Sequence, residues 1–287
     1  MRSAAGAGRS STVDRMARQT TAGDLSYRVV LGLLSAVALL ILITPVVVVI
    51  ITSFTDSRSL RFPPPAYSLR WYSALFDPVQ SAQIHTAAWN SLVIAVAATA
   101  ISVVLGTAAA LAISGRRTWW TQTLDAVFMS PLILPTLAFG LAALMFFSTL
   151  RLRLSLPLMI VGHVAVVVPF ILRTTIASLS QLDRGLLDTS SSLGASGIYT
   201  FWRVTLPAIR PGILAGAFIA FMASLDNVSV SLFLAGPEND VLPIRMWGML
   251  ESQLDVRTAA VSGVLIFTTA ILVVVMDRIV GLTRRIS

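Results

Sequence analysis

"SSLGASGIYTFWRVTLPAIRPG" occupies Ser191 to Gly212, between two long apolar runs. It reads as two short helices broken at a glycine. Asp183–Leu193 forms the first, and Gly194 stops it at a place suited to positive φ. Ser196 caps a second helix, which runs through "GIYTFWRVTL" to Pro207. In that helix Ile198, Phe201, Trp202 and Thr205 fall near i, i+3, i+4 and i+7, which makes an apolar face. A helical hairpin with such a face must pack on something, either its own membrane domain or a partner.

The rest of the chain is membrane-like. It has 287 residues, 56% apolar and 12% charged, and a mean hydropathy of +0.83. A soluble domain carries about 25% charge. About 20 apolar residues cross a bilayer as a helix, and six stretches qualify: 29–52, 91–113, 126–147, 154–172, 212–235 and 258–276. The first is too long for a signal-peptide core, and no clear small-residue cleavage site follows it. The fold class expected is therefore all-α, a polytopic membrane protein of six transmembrane helices. Residues 1–28 are expected to be a cytoplasmic tail, disordered over the first 25 by their Ser, Ala, Gly and Arg content. Residues 29–285 form the membrane domain, with a cytoplasmic loop at 173–211.

Arginine sets the direction, since arginine collects on the cytoplasmic side. Fourteen arginines belong to one side: five in the N-terminal tail, Arg116 and Arg117, four in the 173–211 loop, and Arg278, Arg284 and Arg285. The other side has seven. Both termini and the loop are thus expected inside. The stretch from Ser53 to Ala88 is expected outside, extended at its three prolines and then forming a short interfacial helix.

Several chemistries are excluded. The chain has no lysine and no cysteine. It therefore has no Walker lysine for ATP, no Schiff base, no disulfide and no thiolate metal site. His85 and His163 are far apart with no acid nearby, which argues against zinc. His163 reads as a satisfied interior histidine. The net charge of +8 follows membrane topology rather than nucleic acid. Pro131 and Pro135 in "SPLILP" kink the third span, for packing or for a pathway. Gly106 and its small neighbours permit close helix packing. Asp226 is the one charge in the fifth span, and an ionisable group there is costly and points to function. Ser229 is three residues on, so it shares the Asp226 face. Asn227 and Ser231 are four apart on the next face. This polar stripe either lines a path or holds helices together.

"DTSSSLGASGIYTFWRVTLPAIRPGI" resembles the cytoplasmic signature of permease subunits of binding-protein-dependent type I ABC importers. Asp188, Thr189 and Ser190 stand where that family has Glu-Ala-Ala. Gly194 is in register, and Val204, Leu206 and Pro207 complete the pattern. The resemblance covers about Ala87 to Gly281. It implies a coupling helix that docks on an ATPase subunit, with Asp188, Ser190, Leu193, Gly194, Ala195, Ser196, Leu206 and Pro207 as coupling residues. It implies as partners a second permease subunit, an ATPase dimer and an extracytoplasmic solute-binding protein, besides the bilayer. It implies no cofactor in this chain, ATP and Mg being bound by the ATPase, and no covalent chemistry. "SLDNVSVSLFLAGP" and "VLPIRMWGML" resemble the polyamine branch. The translocation path would then include Asp226, Asn227, Ser229 and Pro135, for a polyamine or a related amine such as an opine or aminoalkylphosphonate. Import of an anion or ferric iron by the same machine stays open. So do a proton-coupled secondary transporter using Asp226 and, least favoured for want of paired catalytic groups, a membrane enzyme.

Overall fold

The computed structural model describes residues 7–115, 118–236, 239–253 and 255–280. Arg2, Arg116, Arg117, Arg284 and Arg285, used above for orientation, lie outside them. The helices are α1 (Ala7–Ser53), α2 (Arg70–Phe76), α3 (Ala82–Ser114), α4 (Trp119–Ile133), α5 (Thr136–Thr149), α6 (Leu156–Ser180), α7 (Arg184–Ser192), α8 (Gly197–Thr200), α9 (Leu206–Leu225), α10 (Val228–Leu234), α11 (Leu242–Gln253) and α12 (Arg257–Val280). A π turn over Phe201–Thr205 joins α8 to α9. Among the described residues five helices are long and apolar enough to cross a membrane, and the bent pair α4–α5 makes a sixth if it is counted as one span.

The centre is built from α3, α6 and α9, which pack on one another. Water is absent from lipid, so close backbone approach and small residues drive such packing. Glycine supplies it on both sides of α6. A methyl at Gly106 of α3 would fall 3.0 Å from Ile171 Cγ2. On α9, methyls at Gly212 and Gly216 would fall 2.7 Å from the Thr174 carbonyl and 2.9 Å from Ile171 Cα. Ala98, Val167, Ile171 and Ala220 fill the middle. By contrast α1 is exposed from Ser26 to Val47 and packs mainly on α12. It lies at the periphery of the chain.

The far side is held by polar contacts. α2 forms where the aromatic run was expected to give a short helix. Its Tyr72 hydroxyl lies 2.7 Å from Ser53 Oγ, and Trp71 Nε1 donates to the Ser57 carbonyl at 3.1 Å. Asn90 Nδ2 donates to the Asp240 carbonyl and Ser91 Oγ accepts from Leu242 N–H, which seats α11 against α3. Arg257 Nη2 meets Asp255 Oδ2 at 2.7 Å and its Nη1 donates to the Gln80 carbonyl. Burial opposes the charge on Asp255, but the hydrogen bonds from Arg257 outweigh it and hold the carboxyl below its usual range.

Three expectations are corrected. From Ala7 onward α1 runs through the tail that was expected to be disordered. Ala, Arg, Met and Gln favour helix, and lengthening an existing helix is far easier than nucleating one. The loop expected at 173–211 is shorter, because α6 runs past Leu172 to Ser180. The fifth span is not one helix from 212 to 235. It starts from the loop and breaks after Leu225.

Candidate functional site

Two stations stand out, at opposite ends of α6 and α9. The first is the hairpin. Asp183 caps α7 by accepting from Gly185 N–H at 2.8 Å. α7 ends in a Schellman motif: Gly194 N–H bonds the Ser191 carbonyl and Ala195 N–H bonds the Ser190 carbonyl. Gly194 has φ +78°, as its position in the sequence required. Ser196 then caps α8 through Tyr199 N–H. Ser190 Oγ lies 2.8 Å from Thr200 Oγ1 and ties the two arms together. The second arm does not stop at Pro207. It passes through the π turn, with Leu206 N–H bonding the Phe201 carbonyl, and continues as α9. Pro207 follows directly on the π turn, in the first turn of α9.

The hairpin's apolar side chains are largely uncovered. Leu193, Ile198 and Trp202 are 82%, 76% and 61% exposed. Of the expected face only Phe201 and Thr205 turn partly inward. Packing on its own membrane domain therefore does not satisfy this segment. Asp188 is exposed and lines a cavity of ≈ 740 Å³ between the hairpin and the ends of α3 and α6.

The second station is a pair of helix breaks. Pro135 cannot donate to the α4 ladder, and it forces Leu134 into an extended conformation with ψ 142°. α4 and α5 bend there by 107°. In the fifth span Asp226 ends α9 and the Asn227 side chain caps α10, accepting from Val230 N–H at 2.9 Å. The two breaks meet: Thr136 Oγ1, next to Pro135, donates to Ser229 Oγ at 3.1 Å. Gly140 allows the approach, since a methyl there would fall 2.8 Å from the Ser229 carbonyl.

The break changes the expected stripe. Spacing by three or four residues holds only in an unbroken helix. Ser229 turns to Thr136, and Ser231 is buried against His163. Asp226 instead opens on a cleft of ≈ 450 Å³ with Met222, Leu242, Met246, Trp247, Leu265 and Thr269. Its carboxylate makes no hydrogen bond or ion pair among the described residues. His163 is 2% exposed and bonded at both ring nitrogens, to Ser224 Oγ at 2.8 Å and Ser231 Oγ at 3.2 Å. It is the satisfied interior histidine expected. Among the described residues no group of three His, Cys, Asp or Glu could hold a metal ion. Ser231 belonged to the expected polar stripe, but Ser224, Thr136 and Trp247 carry no such signal, because the groups they meet lie far along the chain. The Gly212–Gly216 spacing was legible as a close-packing signal.

The family model described as "Binding-protein-dependent transport system inner membrane component" matches residues 102–285, well over half of the chain. The chain belongs to this family. It is a multi-pass inner-membrane permease subunit of a binding-protein-dependent ABC importer, and not an enzyme; ATP hydrolysis belongs to a separate subunit. The chain is 25% identical over 231 residues to the spermidine/putrescine transport system permease protein PotC of Escherichia coli, spanning 80% of this chain and 86% of that one. It is 28% identical over 210 residues to the putrescine transport system permease protein PotI of the same organism, spanning 71% and 73%. In fold it is similar to a chain of a bacterial ABC transporter involved in alginate import. The TM-score is 0.68 at 16% identity, covering 95% of this chain and 99% of that one. Membership of this permease family leaves the secondary-transporter and enzyme readings without support.

Proposed function

We propose that this subunit passes a polyamine or a related alkyl amine from an extracytoplasmic binding protein into the cell. It works beside a second permease subunit, and an ATPase dimer that binds ATP and Mg docks on the α7–α8 hairpin. The observation that carries the solute class is Asp226. An exposed carboxylate at a helix break, with no cation among the described residues, faces an apolar cleft with an exposed tryptophan. An ammonium group gains from the carboxylate and, over an indole ring, about 0.5–2 kcal/mol more. Met222, Met246 and Leu265 suit the methylene stem. Broken helices are where transporters place their solute contacts. An anion would be repelled here, and ferric iron would find too few oxygen ligands on this chain. The names of the PotC and PotI relatives favour the same solute class.

Calorimetry on the cognate binding protein, followed by ATP-driven uptake in proteoliposomes, tests this. Putrescine or spermidine should bind and be taken up, unaffected by collapse of the proton gradient. Binding of an anion or ferric complex alone would overturn the solute class.

The direction is also proposed: hairpin and both termini inside, α2 outside. Ser191 is exposed and the chain has no cysteine, so Ser191→Cys gives a clean probe. A membrane-impermeant maleimide should label it only after cells are opened. Labelling in intact cells would reverse the orientation.

A further inference from the structure

We propose that His163 is a positioning residue. It is the clasp that carries movement of the hairpin to the Asp226–Asn227 break, so that losing its two hydrogen bonds uncouples ATP hydrolysis from solute passage. This rests on the reading of the hairpin as the ATPase dock.

Ser224 lies in the last turn of α9 and Ser231 in α10, one on each side of the break. Near the break the backbone offers only local bonds: Asp226 N–H to the Met222 carbonyl, Asn227 N–H to Ser224, and Val228 N–H to Asp226. The helical ladder itself does not cross it. The imidazole does, from a third helix. A neutral imidazole has one donor and one acceptor, and a serine hydroxyl can be either, so both bonds form in either tautomer. Buried polar groups so matched hold a single geometry, and an unmatched one is costly.

α6 continues from His163 to Ser180, about 25 Å of helix at 1.5 Å per residue. It enters the hairpin through Gln181 and Leu182. α9 leaves the hairpin's other arm. The two helices are locked at the hairpin end by Gly212 and Gly216 against Ile171, Thr174 and Ser178. At the far end His163 joins them again. Hairpin, α6, His163 and α9 thus form a closed frame. When the hairpin moves as a rigid body, the frame must carry the break with it or shear at the histidine, the one side chain among the described residues that hydrogen-bonds to both sides of the break.

The assembled transporter in proteoliposomes tests this with His163→Leu, His163→Asn and His163→Gln. Asparagine places an amide near the Nδ1 position, and glutamine near Nε2. With both bonds lost, His163→Leu is expected to show about a tenfold or greater fall in uptake per ATP hydrolysed. ATPase stimulation by the loaded binding protein should stay within about twofold, and at least one amide variant should restore much of the coupling. Unchanged uptake per ATP in His163→Leu overturns the proposal. So does parallel loss of uptake and ATPase with no rescue by either amide, which is the behaviour of a merely structural residue. If His163→Leu does not assemble, the Ser224→Ala/Ser231→Ala pair is measured in the same way, and normal coupling there overturns the proposal. Failure of the wild-type hairpin to bind ATPase would instead sink the docking reading, and co-purification reports that separately.

Discussion

Gly194→Val is expected to insert normally, to lose most ATPase co-purification and to abolish uptake. The reason is conformational rather than steric. An added Cβ at Gly194 would meet nothing within 4 Å, so no clash arises. The φ of +78° is the obstacle. An L-residue in that region loses about 1–2 kcal/mol, and a β-branched one fares worst. The strain falls on the two bonds that turn the chain, Gly194 N–H to Ser191 and Ala195 N–H to Ser190. Relaxing φ breaks them and re-aims α8 relative to α7. The exposed Leu193, Ile198 and Trp202 then no longer form one surface. None of this touches the α3–α6–α9 centre, so the protein should remain in the membrane. Gly194→Asn is the control: asparagine tolerates the left-handed region and should keep most activity. Normal ATPase co-purification with wild-type uptake in Gly194→Val would show that the turn does not set the dock. Equal loss in the Asn variant would show that the glycine acts through something other than φ.

How far the chain could be read beforehand follows from the range of each interaction. Local signals were legible. The Ser196 cap, the Gly194 stop and the apolar spans all depend on residues close together in the chain. Pro135 announced a kink, though not one of 107°. The size of that bend depends on α5 packing against α10, far along the chain. The break at Asp226 was less legible. Its flanks are apolar, and hydropathy alone reads 212–235 as continuous. "LDN" does hold a residue suited to ending one helix and another suited to capping the next. That signal competes with the strong demand in lipid that every backbone group be paired. The structure meets the demand locally, through the Asn227 cap and the short bonds around Asp226. His163 shows the other limit. Its interior role followed from its setting, but its partners lie 61 and 68 residues away, and no period in the sequence links them.

Asp226→Asn is expected to assemble, to retain ATPase stimulation by the loaded binding protein, and to lose most uptake of a cationic solute. The substitution keeps shape and removes charge. The backbone at Asp226, φ −99° and ψ 13°, suits asparagine equally, and its N–H bond to Met222 is unaffected. The carboxylate bonds to nothing among the described residues, so no contact within this chain is lost. What remains is its interaction with something that passes or docks. Near a protein surface two unit charges 4 Å apart attract by about 4 kcal/mol before desolvation is counted. Even a third of that, about 1.4 kcal/mol, is tenfold in a rate or affinity. Uptake of putrescine should therefore fall about tenfold or more at equal expression. Asp226→Glu, which restores the charge on a longer arm, should recover part of it. The cleft refines the expectation: Trp247→Ala should weaken the same solutes by raising KM, with assembly intact. A second source of positive charge is the partner permease. If an arginine there pairs with Asp226, the Asn variant strands that cation at the interface, and loss of assembly replaces loss of uptake. Wild-type putrescine uptake by Asp226→Asn would remove the charge from the transport mechanism altogether.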